Sequence, residues 1–335
     1  MLACKNHETQ LAQHACAAKA LDPINEELEN RERPRLFKSV PLGENMKPLK
    51  MLQYAFAPLV VIGTVFSVTA QAGEIVTDSF KSIALGRDYK FQVYLPDGYK
   101  DKPGPYPVVY VLHGAEGDEY SWTAQGGVKE TLDALIKRGH VRPSIAVMPG
   151  NGRNWYVDGA AEKAETALVS DLIPYVEGKY KASRDRGMRA VGGFSMGGYG
   201  ALNLALKYPD KFCAAALLSP TSYDPLPPET SSSRRAPQFL RDGKFDPDLW
   251  KSLNYPAHLD AYSKAPRKVP LWIVSGDHDF LGIALVSAQL YWRLYQIQPK
   301  QVELRVVDGD HEWMVWRDTL PDALRYMDEQ CARGG

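Results

Sequence analysis

Hydrophobic and polar positions change rhythm once along this chain, near residue 99. Over residues 75–99 they alternate, with Phe80, Ile83, Tyr89, Phe91, Val93 and Leu95 on the apolar beat, and the stretch ends in Pro96-Asp97-Gly98. A period of two describes strands with one covered face, so this part predicts two antiparallel strands. Beyond it the apolar residues come in short runs at 108–112, 145–148, 189–191, 213–218, 271–274 and 302–307. Such runs are strands buried on both faces. Helix-like stretches lie between them at 127–138, 161–180, 195–208 and 282–295, and another follows at 316–331. That order predicts an α/β fold with a mostly parallel central sheet, helices on both faces and ligands at the C-terminal strand ends.

Two segments break the rhythm. Residues 223–267 carry Pro225, Pro227, Pro228, three serines, Arg234, Arg235 and Phe245-Asp246-Pro247, too much for an ordinary connection. They read as an insertion over the active-site edge that helps shape the substrate pocket, the alternative being a solvated surface loop. Near the start, Lys47 and Lys50 precede an apolar run at 55–68 and then Ala70-Gln71-Ala72. A basic segment, a moderate apolar run and an A-x-A exit predict a signal peptide over 46–72, cleaved after Ala72. The run is short for a membrane span and holds Pro58 and Gly63, so no stable membrane insertion is expected after cleavage. A signal peptide opens a chain, so translation is expected to begin at Met46 or Met51. Residues 1–45, polar and without sustained periodicity, are then a mis-assigned start or a disordered extension. The catalytic domain is residues 73–335, exported to the periplasm or secreted.

Composition narrows the classes further. The 335 residues are 44% hydrophobic and 24% charged, with 40 basic and 40 acidic side chains, so no long-range field favours nucleic acid. The four cysteines, Cys4, Cys16, Cys213 and Cys331, form no C-x-x-C pair and sit at no zinc spacing. Only Cys213 and Cys331 remain in the mature chain, both expected at the sheet end away from the active site. They form a disulfide there or stay as buried thiols.

The chemistry centres on Gly193-Phe194-Ser195-Met196-Gly197, a G-x-S-x-G between an apolar strand and a small-residue helix. In that setting the serine stands exposed on a sharp turn, and the Met196 N–H at the helix start faces a developing oxyanion. A serine nucleophile needs a base, and the base a carboxylate; the order for this turn is serine, acid, histidine. His311, in Asp308-Gly309-Asp310-His311-Glu312 after the last strand, takes the base position. His278 competes but precedes that strand. For the acid, Asp277 and Asp279 lie two apart in Ser275-Gly276-Asp277-His278-Asp279, and order alone does not separate them. The loop His113-Gly114-Ala115-Glu116-Gly117 should give the second oxyanion donor, from the Ala115 N–H or the Glu116 N–H. Trp155 and Tyr156, after the strand at 145–148, are placed to stack on an aromatic or sugar ring, or else to pack the loop. No metal and no cofactor are implied.

These segments resemble the esterase D and feruloyl esterase branch of the α/β-hydrolases, which includes the antigen 85 mycolyltransferases. The likeness rests on Val109-Tyr110-Val111-Leu112-His113-Gly114 with Trp122, on Asp171-Leu172-Ile173-Pro174-Tyr175-Val176, on residues 190–200, and on Asp310-His311-Glu312-Trp313 with Trp316-Arg317. The resemblance implies an α/β-hydrolase fold, Ser195 as nucleophile, His311 as base and, through the G-x-x-D at 276–279, Asp279 as acid with Asp277 as fallback. It implies a serine esterase acting through an acyl-enzyme on short-acyl, acetyl or feruloyl esters, small or linked to polysaccharide. S-Formylglutathione is a further family substrate that export disfavours. An acyltransferase and a non-catalytic binding protein on the same fold are the rival readings, and the sequence is silent on oligomeric state.

Overall fold

The computed structural model describes residues 72–334. The extension at 1–45 and all of the signal segment but Ala72 lie outside them. Within the described residues, β1 (Glu74–Lys81) and β2 (Asp88–Leu95) form the expected antiparallel pair. They join β3 (Val108–Leu112), β4 (Ile145–Pro149), β5 (Arg189–Phe194), β6 (Ala214–Leu218), β9 (Leu271–Gly276) and β10 (Val302–Val307) in one eight-stranded sheet. The order is β1-β2-β4-β3-β5-β6-β9-β10, and β2 pairs antiparallel with β4 while every later pairing is parallel.

The apolar runs arise because each central strand feeds two cores. Val108, Tyr110 and Leu112 enter one core, while Val109 and Val111 enter the other. β9 divides likewise, with Leu271 and Ile273 on one face and Trp272 and Val274 on the other. Helices α1 (Val128–Lys137) and α7 (Trp313–Ala332) cover one face; α2 (Ile173–Lys179), α3 (Met196–Lys207) and α6 (Ile283–Tyr295) cover the other. Where one helix was expected over 161–180, the chain turns helical at Ala164–Thr166, widens into a π-helical stretch at Ala167–Leu172 and continues as α2.

The insertion is folded rather than solvated. It holds a hairpin of β7 (Leu240–Arg241) and β8 (Lys244–Phe245), then α4 (Pro247–Leu253) and α5 (Leu259–Lys264). Asp246 caps α4, its Oδ1 accepting from the Asp248 and Leu249 N–H groups at 2.9 and 3.0 Å, and Pro247 supplies a first-turn residue that has no N–H to satisfy. α4 buries Trp250 face to face on Tyr199 of α3, ring centroids 5.4 Å apart. At the sheet end opposite Ser195, Cys213 and Cys331 form a disulfide that joins the entry to β6 to the last turn of α7. No described helix is long and apolar enough to cross a membrane.

Candidate active site

Ser195 sits between β5 and α3 with φ 54° and ψ −118°, a backbone conformation that L-residues rarely adopt. The flanking glycines follow from that turn. A Cβ on Gly193 would stand 2.7 Å from the Gly197 backbone, and one on Gly197 would overlap the Leu112 carbonyl. Strand and helix can approach this closely only without those side chains. The Ser195 N–H donates to the Leu218 carbonyl of β6 at 2.9 Å, and the Ser195 carbonyl accepts the first α3 bond from Tyr199 at 3.0 Å. Met196, the first residue of α3, therefore presents an N–H with no partner inside the helix.

Two loops bring the other groups to this serine. The His311 Nε2 lies 2.9 Å from Ser195 Oγ, and its Nδ1 lies 2.7 Å from Asp279 Oδ2. An ionised carboxylate only accepts, so the proton sits on Nδ1 and Nε2 accepts from the serine hydroxyl. The Asp279 side chain is wholly buried, and its other oxygen accepts from the Leu281 N–H at 3.0 Å. Asp277, two residues earlier, turns away: it pairs with His278 at 2.6 Å and accepts from the Gly309 N–H at 3.2 Å. Of the two carboxylates that motif order left open, Asp279, the one the resemblance implies, is the one beside His311.

The register of these loops is held by residues that the sequence reading named only as parts of motifs, without a role of their own. Asp310 Oδ1 accepts from the Phe280 N–H at 2.9 Å and from the His311 N–H at 2.7 Å, and these two bonds hold its carboxyl below the usual range. The His278 N–H donates to the Gly309 carbonyl at 3.0 Å, and Gly276 lies so close to that carbonyl that a Cβ would overlap it. These contacts join the acid loop to the base loop.

On the other side, the buried His113 organises the glycine loop after β3. Its Nδ1 lies 2.7 Å from the Gly114 carbonyl, and its Nε2 accepts from the Asn151 N–H at 3.0 Å. Burial pushes this imidazole down to about 4, so it is neutral and donates through Nδ1. The Gly114 carbonyl also accepts from the Gly117 N–H at 3.0 Å. With that carbonyl turned inward, the trans peptide directs the Ala115 N–H the opposite way.

The structure departs from the expectation for Trp155 and Tyr156, which are core residues and do not line the cleft. Both adopt positive φ, 52° and 54°. The indole packs edge-on against Tyr199, Phe239 and Trp250, and the Tyr156 hydroxyl accepts from the His113 N–H at 3.0 Å. The aromatic walls come instead from Phe194, Trp313 and Trp316. Phe194 stacks on Trp316 with centroids 4.2 Å apart, and the Trp316 indole N–H donates to Ser219 Oγ at 3.1 Å. Together with Ala115, Glu116, Gln125, Leu281, Glu312 and Ser232 of the insertion, they line a cleft of about 510 Å³ that holds Ser195 and His311. Among the described residues, one trio has metal-ligand geometry: Asp277, His278 and Asp308, whose donor atoms lie within 4.8 Å and are all exposed.

This arrangement can be set beside known proteins. The family model described as "Putative esterase" matches residues 82–327. The chain belongs to that esterase family. It is 32% identical over 219 residues, 62% of its length, to an endo-1,4-beta-xylanase/feruloyl esterase of Xylanibacter ruminicola. It is 33% identical over 144 residues, 41% of its length, to the esterase Rv1288 of Mycobacterium tuberculosis. Each match spans 30% of the relative's own length. A solved ferulic acid esterase superposes on 78% of this chain and 99% of its own, with a TM-score of 0.65 and 27% identity. An S-formylglutathione hydrolase of Agrobacterium tumefaciens shares the fold, with a TM-score of 0.61 at 20% identity over 78% of this chain and 97% of its own.

Proposed function

We propose that this protein hydrolyses carboxylic esters through Ser195, His311 and Asp279. The observation that carries the reading is the continuous chain from Asp279 Oδ2 through His311 to Ser195 Oγ, with links of 2.7 and 2.9 Å, opening into the cleft. Ser195 Oγ attacks the ester carbonyl as His311 Nε2 takes its proton. Asp279 stabilises the imidazolium and fixes its tautomer. The Met196 and Ala115 N–H groups hold the oxyanion, a contribution of about 3 kcal/mol per donor to the transition state. His311 then protonates the departing alcohol, and a water activated by the same nitrogen resolves the acyl-enzyme. These steps call on no cofactor.

The walls of Phe194, Trp313 and Trp316 suit a flat or short acyl group, in keeping with the feruloyl esterase named among the relatives. Acetyl and feruloyl esters are therefore the substrates assigned here, free or on polysaccharide. The Cys213–Cys331 disulfide fits an oxidising compartment and supports export.

The test compares the wild type with Ser195→Ala, Asp279→Asn and Asp277→Asn on 4-nitrophenyl acetate and methyl ferulate. Ser195→Ala should abolish turnover, and Asp279→Asn should lower kcat by about 10²-fold to 10⁴-fold. Asp277→Asn should stay within about threefold of wild type, because this carboxylate faces His278. Turnover that survives in Ser195→Ala sinks the mechanism.

A further inference from the structure

The chain is neutral overall, with 40 basic and 40 acidic residues, yet the charge around the cleft is not balanced. Two carboxylates line it, Glu116 from the loop after β3 and Glu312 at the start of α7, and no lysine or arginine does. The same two loop systems carry Asp118 on one side and Asp308 and Asp310 on the other. The two backbone donors on Asp310 hold its carboxyl below the usual range and so favour its charged form. Of the neighbouring cations, Arg153 lies 3.5 Å from Glu116 in a solvent-exposed pair that offsets the Glu116 charge only in part, while Arg234 pairs with Glu229 at 3.0 Å and Arg317 with Asp318 at 3.5 Å. Among the described residues, no cation pairs with Glu312.

Resting on the ester-hydrolase reading above, we propose that the mouth of this cleft is a charge filter, set by Glu116 and Glu312, that admits neutral esters and turns away esters and thioesters bearing a carboxylate near the scissile bond. A cleft with low-dielectric walls focuses the field of its rim charges, so the penalty falls on any anion entering beside Ser195. Glutathione thioesters, with two carboxylates and one ammonium, belong to the rejected class. Aromatic and acetyl esters of sugars belong to the admitted one. The filter also acts on the product, because hydrolysis converts a neutral acyl group into a carboxylate inside a negative cleft. Release of the acid is thereby favoured.

The test uses the purified full chain and two substrates that differ in one charge, 4-nitrophenyl hydrogen adipate and its methyl ester, both read by 4-nitrophenol release. At low ionic strength kcat/KM for the anion should lie about tenfold below that for the methyl ester, and salt at about 0.5 M should bring the two together. The double variant Glu116→Gln/Glu312→Gln should raise the anion-to-neutral ratio by about fivefold or more, and each single variant should raise it by less. A ratio near one for the wild type at low salt overturns the filter, and so does a ratio that neither salt nor the substitutions change. The salt series on the wild type decides the matter even where a variant fails to fold. Failure of the underlying reading looks different: neither ester is cleaved, or both are cleaved by Ser195→Ala.

Discussion

Replacing His113 by leucine removes the imidazole that braces the glycine loop, and the structure sets the size of the effect. The Asn151 N–H loses its acceptor at 3.0 Å, and an unpaired buried donor costs about 1–3 kcal/mol. The Gly114 carbonyl loses its bond from Nδ1 but keeps the one from Gly117, so its share is smaller, about 1 kcal/mol. A pH term opposes these losses. Burial lowers the folded imidazole from 6.5 to about 4, so between those values the unfolded chain binds a proton that the folded one does not. Stability from this group is full above about 6.5 and is lost as pH falls towards 4, by on the order of 3 kcal/mol. Denaturant unfolding at pH 7.5 should find His113→Leu about 2–4 kcal/mol less stable than wild type. At pH 4.5 most of that gap should close, because only the wild type has the proton to lose to. Ester turnover at pH 7.5 should fall by about 10–100-fold in kcat with little change in KM, as expected when an oxyanion donor is released. A stability gap of equal size at both pH values, with kcat unchanged, would refute the assignment of His113 as a neutral brace of this loop.

Two more outcomes follow from the fold. Gly276→Ala places a methyl against the Gly309 carbonyl, where backbone must move, so kcat should drop by at least about tenfold while the KM for a neutral ester changes little; wild-type turnover in this variant would show that the two loops are not coupled. Replacing Cys213 and Cys331 together by serine opens a cross-link spanning 118 residues, for which chain entropy gives a ceiling of about 5 kcal/mol. A melting temperature unchanged by the double replacement would deny the bond its structural role.

Much of the architecture was legible in local pattern. Strands buried on both faces need apolar runs, and five of the six appear as the covered strands β3, β4, β5, β6 and β9 with ends shifted by at most a few residues; the sixth, 302–307, forms β10 at the sheet edge, where Arg305 and Val306 are exposed. The strained turn at Ser195 was legible too, because it demands glycines at fixed offsets and so writes itself into five consecutive residues. Motif order put the histidine in the last loop and the acid in the one before it.

What sequence could not hold was any choice that depends on a partner distant in the chain. Asp277 and Asp279 share one loop and one chemistry, so motif order did not separate them and only the resemblance pointed to Asp279; in the fold Asp279 meets His311, thirty-two residues later, while Asp277 pairs with its neighbour His278. Trp155 and Tyr156 look equally fit to line a pocket or fill a core. They fill it because Phe239 and Trp250 of the insertion close over the indole and the His113 backbone takes the phenol. The cysteine pair could have stayed as thiols until the ends of β6 and α7 met with Cα atoms 5.1 Å apart. Periodicity and glycine spacing are local constraints, so one strand or one turn is enough to display them. The facing of a carboxylate, the cover over an indole and the pairing of two thiols are set by which elements the sheet order makes neighbours, and that exists only once the chain has folded.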